Sequence, residues 1–372
     1  MDIMFFLLLI FLLTGIIHLL IVTVFFSGDE IQPTSKSNVQ EMKWPTLTIL
    51  VCARNEAENL KNYIPLLCQQ TYEDLQVVVV NHRSVDHTAV VLHEINAVYK
   101  NLQIVDCDID DPVLPGKRTA LIAGLDQAKG DLILLTDADC RPASEKWASM
   151  MVQRLVDSKR NIVLGIGVYE NQRSWLNRFI QFETLHTAAS YISAAYAGWP
   201  YMGVGRNMLI QKNLLESQMK KSVVPGIVSG DDDLFITHLS FTEEMAIESN
   251  SDAHTISTPS TNWSSFLRQK SRHISTASYY KHSHQFLLGL IHGSLAIFLA
   301  SFIVLLFGQY LVLVLVIYLI RTVVIGFCYS RIRSKLSLHQ NLLFFPAMEF
   351  LLIFIPVWSF FRNKVYRSNE WK

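Results

Sequence analysis

Apolar positions fall into two regimes along this chain. Between residues 45 and about 282, short apolar runs alternate with stretches of helical periodicity, the pattern of an α/β domain. The runs predict strands over 46–53, 75–80, 102–105 and 132–136. Between them the pattern predicts helices over 55–67, from Asp86 to 98, and over 119–128. The all-apolar run at 75–80 suits a strand buried on both faces. Polar clusters follow each expected strand: Arg54-Asn55-Glu56, residues 81–86, residues 106–111, and Asp137-Ala138-Asp139. Open sheets of this kind bind ligands beyond the carboxyl ends of their strands.

Outside that region the apolar runs are much longer. Residues 4–26 are almost unbroken, and roughly 20 apolar residues suffice to cross a bilayer as a helix. No Lys or Arg precedes them, as a cleavable signal would require, so an uncleaved anchor is expected. A second block, 286–329, is interrupted at Gly308-Gln309 and Arg321 and suits two crossings joined by a tight hairpin. A third, 342–360, carries Pro346, Glu349 and Pro356, and either crosses, re-enters or lies in the interface. Basic residues beside these segments (Lys36, Lys43, Arg268, Arg272, Arg331, Lys335) place the middle domain in the cytoplasm of a bacterial-type inner membrane. The basic tail favours the re-entrant or interfacial form of the third block. Arg321, about eight residues inside its helix, is expected to snorkel toward the interface. The segment 175–197 reads as a long helix, either packed on the sheet or lying on the membrane with Trp175, Phe179 and Phe182 as anchors. The expected organisation is an anchor (1–28), a catalytic domain (45–282), membrane helices (283–360) and a basic tail (361–372).

Composition narrows the classes further. Half of the 372 residues are hydrophobic and the formal net charge is zero, so nothing points to bulk nucleic-acid binding. The five cysteines form no Cys-x-x-Cys pair, which fits a reducing compartment and argues against zinc.

The candidate chemistry centres on Asp131-Leu-Ile-Leu-Leu-Thr-Asp137-Ala-Asp139, a buried strand that delivers two carboxylates to its carboxyl end. Hard cations such as Mg²⁺ share their oxygen ligands between one or two carboxylates and substrate phosphates. Three adjacent acids, Asp231-Asp232-Asp233, repel one another, which raises the proton affinity of at least one. Gln269 and Arg272 lie three apart on one expected helical face.

Taken in order, the motifs resemble those of the membrane-anchored family 2 glycosyltransferases. They are Ala53-Arg-Asn-Glu56, Asn81-His-Arg-Ser-Val-Asp86, Gly116-Lys117, Thr136-Asp-Ala-Asp139, Gly203-Val-Gly-Arg-Asn207, Gly230-Asp-Asp-Asp-Leu234 and Gln269-Lys-Ser-Arg272. The resemblance implies a GT-A-type mixed sheet flanked by helices and an inverting transfer from a nucleotide sugar. It implies that Asp139, with Asp137, holds Mg²⁺ or Mn²⁺. Arg54, Asn55, Glu56, Asn81, Asp86, Lys117, Asp137, Gln269 and Arg272 would then grip the donor. Asp232 would be the general base, with Asp231 beside it. Two departures stand out. His273 takes the place of the family's usual Trp, which argues against a processive polymerase. Asn81-His82-Arg83 replaces the usual acidic residues after the second strand, so Asn81 would have to meet a uracil through its amide. Asp86 fits a helix cap as well as a ligand. The leading expectation is an inverting transferase that moves one sugar from a UDP-sugar to a membrane lipid or lipid-linked acceptor. A polysaccharide synthase and a catalytically silent membrane partner are the alternatives.

Overall fold

The structure is a computed structural model that describes residues 2–26, 44–109, 116–221, 235–237, 239 and 244–365. The chain groups into two compact units, one drawn from Met1–Ile31, Asn171–Trp199 and Ser260–Tyr366, the other mainly from Gln32–Glu170 and Pro200–Pro259.

The second unit is the α/β part. Its strands are β1 (Leu47–Ala53), β2 (Leu75–His82), β3 (Leu102–Cys107), β4 (Leu132–Asp137), β5 (Cys140–Pro142), β6 (Ile162–Leu164), β7 (Gly167–Tyr169), β8 (Met208–Gln211), β9 (Met245–Ile247) and β10 (Thr255–Ser257). Seven of them form one sheet in the order β3-β2-β1-β4-β8-β6-β9, and β5-β10-β7 form a smaller one. β3, β2, β1 and β4 run parallel, whereas β8 runs antiparallel to both β4 and β6. The mixed sheet flanked by helices is the expected fold class, and the four strands expected from the apolar runs are its parallel half.

β1 is buried at all seven positions, so its alternate residues feed two cores. Ile49 and Val51 join Leu60 and Ile64 of α2 (Ala57–Cys68) and Trp147 and Met151 of α5 (Trp147–Ser158). On the opposite face lies α4 (Lys117–Gln127), where Gly124 lets the helix down onto the sheet. A Cβ there would lie 2.4 Å from Leu50 and 2.8 Å from Val80 side-chain atoms. Between β2 and β3 runs α3 (Thr88–Val98), and α7 (Lys212–Lys221) follows β8.

The first unit contains α1 (Ile3–Phe25), α6 (Trp175–Tyr196), α8 (Trp263–Ser275), α9 (His282–Leu305), α10 (Leu311–Lys335) and α11 (Phe345–Val365). Among the described residues, α1, α9 and α10 are long and apolar enough to cross a membrane. α1 and α9 meet through stacked Phe11 and Phe298 rings 4.6 Å apart, and Tyr318 of α10 stacks on Phe302 at 4.2 Å. The break between α9 and α10 falls at the expected Gly308-Gln309.

Two sequence expectations change here. Arg321 does not snorkel: its side chain is 3% exposed and forms a bidentate ion pair with Glu349 of α11. The same guanidinium lies 3.0 Å from His18 Nδ1 of α1. A charge in an apolar bundle is retained where a partner neutralises it, and Glu349, 28 residues away, supplies that partner. The second change concerns α6, whose aromatic residues pack within the helical unit. Phe179 and Phe182 are buried against Trp263, Phe266, Tyr329 and Phe345, and only Trp175 is strongly exposed, at 60%. Residues 171–199 and 260–282 group with the hydrophobic helices.

Candidate functional site

Register brings the candidate residues to one edge of the sheet. Ala53 pairs with Asn81, Asn81 with Asp106, and Cys52 with Asp137, so the ends of β1, β2, β3 and β4 stand in line. The chain leaves β1 through Asn55, whose φ of 55° is left-handed, and leaves β2 through Arg83 at 53°. Asn is among the few residues that tolerate this region readily. The turns interlock: Asn55 N–H donates to Ser84 Oγ at 3.0 Å, and Val85 N–H donates to Asn55 Oδ1 at 2.8 Å.

Asp86 has a structural role in this lock. Its carboxylate accepts from Thr88 N–H at 3.0 Å and Ala57 N–H at 3.3 Å, which caps α3 and braces the start of α2. Burial works against its charge, but the hydrogen bonds from Thr88 and Ala57 hold its pKa below the usual aspartate value. Glu56 is buried, accepts from Asn59 Nδ2 at 2.6 Å, and its N–H donates to Thr88 Oγ1. Arg54 directly follows β1 and precedes this braced turn.

The central feature is the group formed by Asp137, Asp139 and Cys140. One ligand atom from each lies within 4.8 Å of the others. Both carboxylates are partly exposed, whereas Cys140 is buried. Burial, then the charges of Asp139 and Asp137, push the Cys140 thiol well above its ordinary range. Its sulfur lies 3.5 Å from Asp139 Oδ1 and 2.9 Å from Ser257 Oγ. The two accessible donors are hard carboxylates, a set that fits Mg²⁺ or Mn²⁺. Lys117, the first residue of α4, places Nζ 2.6 Å from Asp137 Oδ1. Gly116 before it adopts φ 79°, ψ −136°, a conformation that glycine takes without a Cβ penalty.

Three residues join this edge without having been assigned a role from sequence. Asn81 Nδ2 donates to Asp106 Oδ1 at 2.8 Å, so an acid stands beside Asn81 on the neighbouring strand. Asn81 Oδ1 is buried and has no hydrogen-bond partner among the described residues. Arg206, from the Gly203–Asn207 stretch, stacks over Tyr169 at 4.7 Å and donates to Gly167 O at 2.9 Å. Burial opposes its charge, but Tyr169, Cys140 and Asp137 together hold its pKa above the ordinary arginine value. A Cβ at 167 would meet Arg206 Nε at 2.0 Å, so any larger residue there requires the guanidinium to shift. Asn207 ties the loops together, accepting from Trp147 Nε1 at 3.0 Å and donating to Ile166 O and Ala253 O. The motif signalled this loop by its small and polar residues. The sequence gives no sign that Arg206 would stack on Tyr169 within electrostatic reach of Asp137, because β7 and β10 are only three residues each.

Asp231 and Asp232 lie outside the described residues. Gln269 and Arg272 are half-buried on α8 in the other unit, where Lys270 pairs with Glu183 of α6 at 2.6 Å.

The profile of the glycosyl transferase family 2 matches residues 48–218, which hold β1 to β8, Lys117, Asp137 and Asp139. Over that stretch the chain is similar to the family 2 glycosyltransferases. The probable glycosyltransferase YdaM of Bacillus subtilis strain 168 is 26% identical over 194 residues, covering 50% of this chain and 44% of the relative. Glycosyltransferase AglE of Haloferax volcanii is 28% identical over 123 residues, covering 32% of this chain and 39% of the relative. The chain thus matches less than half the length of these relatives. Among solved structures, the mannosyltransferase PcManGT from Pyrobaculum calidifontis, in complex with GDP-Man and Mn²⁺, aligns at a TM-score of 0.59 and 16% identity. That alignment covers 94% of this chain and 99% of the other, so the two share a fold nearly end to end.

Proposed function

We propose that the protein is an inverting glycosyltransferase that moves a single sugar from a nucleotide sugar, UDP-linked, to a membrane lipid or lipid-linked acceptor. The observation that carries the reading is the meeting of Asp137, Asp139 and Lys117 at the carboxyl edge of the parallel strands. A nucleoside diphosphate brought there finds an ammonium, the positive end of α4, and carboxylates able to share a divalent cation with it. When bound, Mg²⁺ or Mn²⁺ would stabilise negative charge on the departing diphosphate, a contribution of several kcal/mol by general experience with metal sites. The Mn²⁺ and GDP-Man of the Pyrobaculum protein support the same class of donor and cation.

The chain's own residues divide the remaining work. Asn81 Oδ1 accepts an N–H of the base, while Asp106 fixes the amide through its Nδ2. Asn55 and Glu56 hold the turn after β1 in shape, and Asp86 clamps it to the turn after β2. Lys117 faces the diphosphate. Gln269 and Arg272 are proposed as further donor contacts, on the strength of the motif. In the reaction the acceptor hydroxyl oxygen forms a bond to the anomeric carbon as the bond from that carbon to the diphosphate breaks. The hydroxyl proton passes to Asp232, with Asp231 orienting it, and the nucleoside diphosphate leaves with the bonding electrons. A correctly placed base contributes about 10²–10⁴-fold.

The lipid acceptor is supported by the three helices long enough to span a bilayer, and the flanking basic residues support a cytoplasmic catalytic domain. The test uses detergent-solubilised full chain with membrane lipid extract, Mn²⁺ and sugar-labelled UDP-glucose, UDP-galactose, UDP-N-acetylglucosamine or GDP-mannose. Label is expected in one organic-extractable species. A ladder of oligomers would mean a polysaccharide synthase, and no transfer or donor hydrolysis from any of the four would reject the reading.

A further inference from the structure

The contact between Lys117 and Asp137 joins two groups that the proposed reaction uses for different partners. Asp137 offers its carboxylate to a cation, yet one of its oxygens already accepts a hydrogen bond from an ammonium 2.6 Å away. Neither side chain is deeply buried, at 22% and 37% exposed, so both keep room to move. The lysine backbone, by contrast, is fixed. Gly124 seats α4 on Leu50 and Val80, and the neighbouring Arg118 is buried and donates to Met219 O at 2.7 Å. Lys117 is therefore a charge on a flexible four-carbon stem with an anchored base. Arg206 adds a second positive charge within electrostatic reach of Asp137.

An ammonium and a divalent cation cannot share one carboxylate without repelling each other, and repulsion between like charges at this separation is substantial even near a protein surface. A diphosphate relieves the conflict because it offers the ammonium an alternative anion. We propose that Lys117 is a tethered counter-cation that competes with the divalent ion for Asp137 and yields it when a nucleoside diphosphate arrives. Metal and nucleotide then bind with positive coupling, to which the lysine contributes over and above direct metal–phosphate contact. Linkage makes the effect reciprocal: whatever factor the nucleotide adds to metal affinity, the metal adds to nucleotide affinity. In function, the device keeps the site poorly metallated until donor is present. The inference rests on the functional reading above, since it needs the cation and the diphosphate to meet at this edge.

The test measures Mn²⁺ affinity by electron paramagnetic resonance of the free ion, with and without saturating UDP or GDP, for the full chain in detergent. Lys117→Gln is expected to bind Mn²⁺ about tenfold more tightly than wild type in the absence of nucleotide, and to lose a similar factor of coupling, within the 5–150-fold usual for linked sites. Lys117→Arg, which keeps the charge, is expected to behave as wild type. If circular dichroism finds Lys117→Gln unfolded, Lys117→Met serves in its place. Unchanged or weaker Mn²⁺ binding by the uncharged variants, with wild-type binding intact, overturns the proposal and leaves the functional reading standing. No Mn²⁺ binding by wild type at saturating UDP and GDP overturns both.

Discussion

At the residue scale, the site combines side chains that hold substrate with others that hold those side chains. Asn81 belongs to the first kind. Replacing it with Leu removes a buried acceptor and strips Asp106 of its 2.8 Å partner. The expected result is a nucleotide Kd raised about tenfold, the worth of a hydrogen bond of 1–1.5 kcal/mol, measured by calorimetry in the presence of Mn²⁺. Asp86 belongs to the second kind. Its pKa is lower folded than unfolded, so its contribution to stability is present in full above the ordinary aspartate value of about 3.9 and is lost as pH falls through the lower folded-state value. Asp86→Ala should therefore cost about 0.5–1 kcal/mol in urea unfolding at pH 7, a capping value discounted for solvent exposure, and much less near pH 3. An equal cost at both pH values would deny the carboxylate its capping role. The Asp-x-Asp pair and Lys117 are legible in sequence because each sits within a few residues of a strand end or helix start. Asp106 and Arg206 are not, since their roles come from strand register and from a stack on Tyr169.

At the element scale, the sequence pattern identifies β1 to β4 because each is a run of apolar residues longer than three. β5, β6, β7, β9 and β10 have three residues each, too short for periodicity to register; β6 and β9 complete the far side of the seven-stranded sheet, and the other three form the second sheet. α6 is visible as a helix, but its partners are not, because Phe179 and Phe182 suit a lipid, a sheet or another helix equally well. Arg321 carries the same lesson. Its depth in an apolar helix suggests snorkelling until Glu349 and His18 are placed beside it. Removing one partner leaves an uncompensated buried charge. Glu349→Leu alone should therefore cost about 3–5 kcal/mol, whereas Arg321→Met with Glu349→Leu should cost far less. Thermal unfolding in detergent checks this, and equal losses for single and double variants would show that the two charges do not act as a pair.

At the scale of the whole molecule, a mixed sheet with acids at its carboxyl edge is joined in one chain to helices able to span a bilayer, three among the described residues. The alternation of short and long apolar runs announces both parts. It does not announce that 171–199 and 260–282 belong with the long runs, because that grouping depends on packing between segments far apart in sequence. In the proposed function, Asp137 and Asp139 bind a nucleotide together with a divalent ion. This role is tested most directly by isothermal titration of UDP and GDP into the full chain, with Mn²⁺ and with chelator, for wild type and Asp139→Asn. Nucleotide binding is expected to strengthen markedly with Mn²⁺ in wild type and to lose that dependence in the variant. Nucleotide binding that ignores Mn²⁺, or a variant that responds to it as wild type does, would contradict that role.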